Sequence, residues 1–361
     1  MEQKDNYAEV PAEYLIEGMY SQSAIYILME GKPVLLCKHT VITSDIIRKL
    51  ENFKNFSGML YVEERQQKKL LDQYTYLAKM REALGKKYEN SRQDTKRVLD
   101  QVADTGIIPM EDASNVIEET YQMAKDIDLT LVMQCTMYMR QQSDYLYTHS
   151  LNVAMVNGLI GKWLELPDAS MKRLISVGFL HDVGKVDIPP AILDKPGKLT
   201  EEEFHIIQMH PVYSYDILRK SGIDDAELLL AVRGHHEKIN GSGYPDGLKN
   251  DEISFFARIT AISDIYDAMV ARRVYKDPIS PFEVLDNFWH DKFSYLDMEL
   301  VELFVKKMAD ELVGKKVTLS DGSIAAVRFV DMQNISFPLV EQDGKVFSTD
   351  KDLRCIAVCE L

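Results

Sequence analysis

The sequence predicts a mainly α protein, a helical bundle preceded by a small α/β module and linker helices and followed by a small β module. Three observations lead there. Residues 144–312 carry apolar side chains at helical spacing, with Gly and Pro confined to loops around 183–199 and 239–247. Residues 63–104 are dense in charge and in helix formers, with apolar residues three and four apart. Both ends of the chain instead alternate short β-rich runs with turn residues.

Taken in order, residues 1–62 form the α/β module. VPAEYLIEGMY leads into SAIYILMEGKPVLLCKHTVIT, where Gly31-Lys32-Pro33 is expected to turn between two apolar runs. SDIIRKLENF is expected as a short helix capped by Ser44 or Asp45, and GMLYVEE as a closing strand. Residues 63–143 are the linker helices, broken at Gly106 and Pro109 before MEDASNVIEETYQMAKDIDLTLVMQCTMYMRQQ resumes as a long amphipathic helix. They fit either a coiled-coil seam that would make a homodimer or a solvated helix along its own domain. The Met and Tyr side chains of 121–147 are read as packing material. The bundle spans 144–312. Residues 313–361 form the β module, with Asp-Gly turns at 321–322 and 343–344 between β-rich runs.

The 361 residues suffice for two or three domains and a substantial core. A formal charge of −15 argues against a nucleic-acid groove or an anionic membrane surface, so neither DNA nor RNA is expected as a partner. Cys37, Cys135, Cys355 and Cys359 lack disulfide-framework spacing and are expected to be reduced. No basic flank precedes an apolar run at the N-terminus, and no stretch reaches the ~18 apolar residues that span a bilayer. A cytoplasmic protein without membrane insertion is expected.

Five of the eight histidines fall into one ordered series with two aspartates: His149, His181-Asp182, His210, His235-His236 and Asp264. The gaps of 32, 28, 25 and 28 residues each suit about one helix plus a connection, so successive helices could each deliver a ligand to one point. Adjacent side chains on a helix diverge by about 100°, so a pair can share a site only between those directions or at a helix end. Imidazole and carboxylate without thiolate suit Fe, Mn, Zn or similar ions. A carboxylate can bridge two cations, and a hydroxide held by both attacks phosphorus at neutral pH. The series therefore points to hydrolysis of a phosphate ester. His39, His205 and His290 stand alone and are read as surface or packing residues.

YTHSLNVA around His149, LHDVGKVDIPPAILDKPGKLTEEEF, the His-Pro at 210–211, HHEKINGSGYPDGL and ARITAISDIYDAMVARRVYK resemble the HD-GYP family, a branch of the HD phosphohydrolase superfamily. Gly243-Tyr244-Pro245 is the GYP element, and the likeness covers about residues 140 to 285. A looser likeness links the N-terminal module to the small domain often placed before such catalytic domains. The resemblance implies an HD-type catalytic bundle and two divalent transition metal ions, Fe or Mn foremost. One ion would take His149, His181, Asp182 and Asp264; the other would share Asp182 and take His210, His235 and His236. It implies cyclic di-GMP as substrate, opened to pGpG and onward to GMP by a metal-bridging hydroxide, with Asp182 and Lys185 catalytic. Lys185, Tyr244, Arg273 and Lys276 would bind the substrate, and three of these four are cations suited to a dianionic ligand.

The sequence departs from the family pattern at four places. Tyr145 stands where some members carry a Glu for a third metal, so two metals are expected. Asn240 replaces a usual Asp, keeping an acceptor oxygen without the charge. Ser214 replaces a glycine and Val274 a proline, and neither is expected to touch a ligand. Two alternatives stay open: a receptor that binds cyclic di-GMP without hydrolysing it, and an HD hydrolase for another cyclic or linear nucleotide.

Overall fold

The computed structural model describes residues 7–11, 25–29, 32–36, 59–126, 145–193, 195, 197–270, 280–290, 293–342 and 344–358. The chain divides into one unit of residues 1–83 with 343–345 and a second of 84–342 with 346–361. In the first unit, β1 (Tyr7–Pro11) pairs antiparallel with β4 (Met59–Glu63), and β2 (Ile25–Met29) pairs antiparallel with β3 (Lys32–Leu36). Lys32 and Pro33, expected in a turn, are instead paired strand residues opposite Met29 and Leu28. The two apolar runs form strands that pair with each other, with Lys32 and Pro33 in the second strand rather than in a turn. The expected helix at SDIIRKLENF, Cys37, Cys135, Cys359, His39, and the methionines at 133, 137 and 139 lie outside the described residues.

Helix α1 (Glu64–Thr105) ends where Gly106 takes φ +67° and donates its N–H to Val102 O. Helix α2 (Met110–Asp126) follows, with Glu111 and Asp112 in its first turn and Lys125 in its last, matching the helix dipole at both ends. Both helices start where the apolar spacing predicts them, Gly106 and Pro109 fall between them as expected, and the expected continuation of the second over 127–142 lies outside the described residues.

The second unit is built around α3 (Tyr145–Trp163), which is buried without interruption from His149 to Gly161. A helix apolar on every side belongs inside a bundle. Its neighbour α4 (Asp168–Leu180) lies very close. A Cβ on Gly178 would fall 2.7 Å from Ala154 Cα and 2.7 Å from Asn157 Nδ2. Asn157, buried on α3, answers this close approach by donating to Leu174 O and to Thr260 Oγ1.

After α4 come a 3-10 turn (Val183–Asp187) and five helices in the stretch to residue 270: α5 (Pro190–Leu193), α6 (Glu201–Ile207), α7 (His210–Lys220), α8 (Ala226–Gly234) and α9 (Phe255–Val270). Their starts are written in the sequence. Thr200 and Glu203 form a capping box on α6, and Asp225 accepts from Glu227 N and Leu228 N at the head of α8. Helices α10 (Pro281–Trp289) and α11 (Met298–Leu312) complete the bundle with an aromatic cluster in which Phe304 meets Tyr266 and Phe288 edge to face.

The β module is one antiparallel sheet of β5 (Lys316–Leu319), β6 (Ile324–Phe329), β7 (Leu339–Gln342), β8 (Lys345–Ser348) and β9 (Cys355–Val358), in the order β8-β7-β6-β5-β9. Asp321 Oδ1 accepts from Ser323 N and Oγ, tightening the first expected Asp-Gly turn. Cys355 is a buried free thiol, and burial pushes it up to about 12. Among the described residues no helix is long and apolar enough to cross a membrane.

The α3–α4 contact leaves no room for a side chain at Gly178. Gly178→Ala should therefore cost about 1–3 kcal/mol through overpacking. Chemical denaturation of the full chain reads this directly. An unchanged midpoint would mean that the two helices can separate freely.

Candidate metal centre

The seven expected ligands come from five places in the bundle. His149 lies in the first turns of α3, and His181-Asp182 directly follows α4. His210 opens α7, His235-His236 directly follows α8, and Asp264 lies on α9. The fold brings all seven together as two groups that could each hold a cation: Asp182, His210, His235 and His236, and His149, His181 and Asp264. Within each group the ligand atoms lie within 4.8 Å of one another.

The His-Asp and His-His pairs sit at helix ends, where the chain is no longer bound to the 100° step. Those ends also orient the rings. His181 Nδ1 donates to Gly178 O (2.8 Å), His210 Nδ1 to Ile207 O (2.6 Å) and His235 Nδ1 to Val232 O (2.7 Å). In each case the acceptor is the carbonyl three residues earlier, in the last turn of the preceding helix, where carbonyls lack helical partners. A carbonyl only accepts, so the hydrogen resides on Nδ1 and the Nε2 lone pair faces the centre. His149 reaches the same state by donating from Nδ1 to Asp267 Oδ2 (2.7 Å).

Asp182 stands between the two groups. Its Oδ2 lies 3.4 Å from His149 Nε2 and 3.3 Å from His181 Nε2, while its Oδ1 lies 3.2 Å from His210 Nε2 and 3.9 Å from His235 Nε2. Asp264 reaches His149 Nε2 at 3.2 Å with Oδ1 and His236 Nδ1 at 3.8 Å with Oδ2. The donor set fits transition metal ions. His181 Nε2 and Asp182 Oδ1 are buried without a hydrogen-bond partner, and His210 Nε2 and His235 Nε2 face each other at 3.2 Å. Donors about 2 Å from a common ion lie roughly this far apart.

Burial, reinforced by the neighbouring imidazoles, holds His235 well below the usual histidine range. Burial likewise lowers His236, with His210 adding to it against the pull of Asp264. Burial works against the ionised forms of Asp182 and Asp264. His181 and Lys185 nevertheless hold Asp182 well below the usual carboxylate range, and the His149 hydrogen bond and His236 do the same for Asp264. His235 and His236 are thus held as neutral imidazoles beside ionised Asp182 and Asp264, the protonation states that bind metal.

Lys185 Nζ donates to Asp182 Oδ2, placing a cation beside the shared carboxylate. Tyr244 lies over His236, with ring centroids 4.8 Å apart, and burial followed by Asp264 and Asp182 pushes its phenol above its ordinary range. Asn240 Oδ1 accepts from Ser242 N and Oγ, so the amide serves the loop as an acceptor without the charge. Arg273, Val274 and Lys276 lie outside the described residues.

Four further residues hold the centre in place. Asp267 and Asn152 back His149 from the outer side. Asp267 lies three residues after Asp264 on α9, and that Asp-x-x-Asp spacing was the signal available in the sequence. Glu237, directly after the His pair, accepts the backbone N–H groups of Asp246, Gly247 and Leu248 and so anchors the loop that carries Tyr244. Ser214 corrects an expectation. Its hydroxyl donates to His181 O and accepts from Gly184 N, both at 2.8 Å, and so pins the backbone of a ligand residue. A Cβ on Gly184 would fall 2.3 Å from Ser214 N, which keeps α7 against this turn.

The lowered imidazoles set the pH response of the metal-free protein. Between the folded values and the unfolded value near 6.5 the unfolded chain binds more protons, so stability rises with pH. The thermal midpoint of stripped protein should fall as pH drops from 7 toward 5. That slope should shrink in His235→Asn; an equal slope would sink the assignment of the effect to this imidazole.

Residues 134–300 match the family model described as HD domain. A cyclic di-GMP phosphodiesterase of Pseudomonas aeruginosa, PA4108, is 35% identical over 191 residues, which is 52% of this chain and 45% of that protein. A 3'3'-cGAMP-specific phosphodiesterase 2 of Vibrio cholerae is 36% identical over 174 residues, 48% of this chain and 33% of that protein. The chain thus spans less than half the length of these relatives. Among solved structures, the HDG"Y"P protein Bd1817 from Bdellovibrio bacteriovorus aligns over 83% of this chain and 99% of its own, with a TM-score of 0.50 and 15% identity, a likeness of fold. This match to the HD domain model lies over the assembled His/Asp centre and the Gly243-Tyr244-Pro245 loop.

Proposed function

We propose that this chain is a metal-dependent phosphodiesterase that hydrolyses cyclic di-GMP to pGpG and onward to GMP. The observation that carries the reading is the Asp182 carboxylate, which turns one oxygen to each of two ligand groups. Its relatives named as cyclic di-GMP phosphodiesterases supply the substrate class.

In this reading His149, His181, Asp182 and Asp264 hold one ion, and Asp182, His210, His235 and His236 hold the other, Fe or Mn in both places. When bound, such ions lower the pKa of a water and draw charge from a phosphoryl oxygen. The chain's own groups do the rest. Helix-end carbonyls and Asp267 keep the hydrogens on the Nδ1 atoms, so the Nε2 atoms donate their lone pairs inward. Lys185 offsets negative charge at the scissile phosphate and the leaving 3' oxygen as the P–O bond breaks and water adds in line. The protonated Tyr244 phenol offers a hydrogen bond and a ring face to a nucleotide, and Arg273 and Lys276 are proposed to contact its phosphates.

A second substrate has a specific observation behind it. A relative 43% identical over 136 residues is a 3'3'-cGAMP-specific phosphodiesterase 3, so the mixed cyclic dinucleotide belongs in every assay.

Anaerobically reconstituted protein should contain about two metals per chain and release pGpG or GMP from cyclic di-GMP, followed by chromatography. Two metals with no product from either dinucleotide would turn the assignment toward a receptor. Asp182→Ala should abolish metal loading and turnover together, and full activity in that variant would overturn the site. Lys185→Ala should keep its metals and lose on the order of 10²–10³ in rate, the usual loss for one charge-stabilising donor. An unchanged rate would remove Lys185 from the mechanism.

A further inference from the structure

The buried polar groups behind His149 continue into a helix upstream of the HD segment. Tyr88, on α1, donates its phenol hydrogen to Asn152 Oδ1 at 2.6 Å. Asn152 Nδ2 donates to Asp267 Oδ1 at 2.8 Å, and Asp267 Oδ2 accepts from His149 Nδ1 at 2.7 Å. All four residues are 3% exposed or less. The polarity of the chain follows from the groups themselves. A carboxylate only accepts, so Asp267 draws the Asn152 amide nitrogen and the imidazole N–H toward itself. The Asn152 carbonyl oxygen must then point away, where only a donor satisfies it, and the Tyr88 hydroxyl is that donor.

We propose that Tyr88 is a positioning residue for His149, acting through Asn152 and Asp267, so that the His149–His181–Asp264 group depends on helix α1 outside residues 134–300. This rests on the metal-centre part of the reading above and is independent of the substrate. With its Nδ1 held, the His149 ring can turn only in one sense, and its Nε2 faces Asp264 Oδ1 at 3.2 Å and Asp182 Oδ2 at 3.4 Å. Without the phenol hydrogen the Asn152 oxygen is a buried acceptor with a missing donor, and the amide loses the preference that keeps its nitrogen toward Asp267. The docking of α1 does not hang on this one hydroxyl. Tyr147 on α3 donates to Asp100 on α1 at 2.6 Å, and Val98, Leu99 and Val102 are buried along the same helix. Tyr88→Phe therefore removes the hydrogen bond while the helix stays in place.

The test uses the full chain, stripped of metal, as wild type, Tyr88→Phe, Asn152→Leu and the double variant. Mn2+ affinity is measured by calorimetry, the Co2+ absorption spectrum reports ligand geometry, and thermal midpoints without metal report folding. Tyr88→Phe should weaken the affected Mn2+ site about tenfold, the lower end for groups that orient a ligand, and alter the Co2+ spectrum, with a cooperative metal-free transition lowered by only a few degrees. Asn152→Leu should weaken it at least as much, and adding Tyr88→Phe to it should change nothing further. Wild-type affinity and spectrum in Tyr88→Phe would overturn the proposal, as would losses that add in full in the double variant. If Asn152→Leu fails to fold, Tyr88→Phe alone decides. A wild type that takes up no metal overturns this proposal and the metal centre alike. A wild type that shows the expected metal pattern yet hydrolyses no cyclic dinucleotide overturns the substrate reading alone.

Discussion

The burial of the Asp182 carboxylate between two sets of imidazoles is the constraint around which the helical unit is organised. An isolated carboxylate with 1% of its side chain exposed would be very costly, and in practice it would take up a proton. Here it is held ionised by His181 and Lys185, with the Nε2 atoms of His149 and His210 close by. Every one of those groups arrives from a separate stretch of chain: α3, the end of α4, the 3-10 turn and the start of α7. The charge is therefore tolerable only when four elements are packed in register.

Helix ends do most of the orienting. A helix leaves its last carbonyls unbonded, and a histidine placed just beyond the end can turn its Nδ1 back onto the carbonyl three residues earlier. His181, His210 and His235 all do so. One elementary feature of the α-helix thus sets the tautomer of three imidazoles. It also explains why ligand pairs adjacent in sequence work here, since beyond a helix end adjacent side chains need not diverge as they would in mid-helix. His149, by contrast, lies within α3, where the carbonyl three residues earlier is engaged in the helix. It needs a carboxylate from another helix, and Asp267 supplies one.

The close approach of backbones is the price of this geometry. Gly178 lets α4 sit against α3 just before His181, and Gly184 lets α7 sit against the turn just after Asp182. Ser214 then ties that turn at both His181 O and Gly184 N. The pair His181-Asp182 is clamped between two glycine contacts, which is how a short, exposed type of turn becomes a rigid platform inside a bundle. Glu237 plays the matching part on the other side, using both carboxylate oxygens to gather three backbone N–H groups of the loop after Tyr244.

By itself the sequence determined the mainly α character, the β module with its Asp321-Gly322 turn, the break at Gly106 and the ordered series of seven candidate ligands. These are local quantities: apolar spacing, turn chemistry, and residue types that suit a cation. Through resemblance to a family it also grouped His149, His181 and Asp264 apart from His210, His235 and His236, and the fold brings the same two sets together. What only the tertiary structure decided are the partners that hold those ligands. Asp267, Asn152 and Tyr88 are ordinary residues in their own helices, and their meaning appears only when α1, α3 and α9 bring them within hydrogen-bond distance. Ser214 was not expected to touch a ligand residue, because its contacts, 30 and 33 residues away in the chain, leave no trace in local pattern. Ligands can be named from chemistry along the chain, whereas the groups that orient them are selected by proximity, which only packing creates.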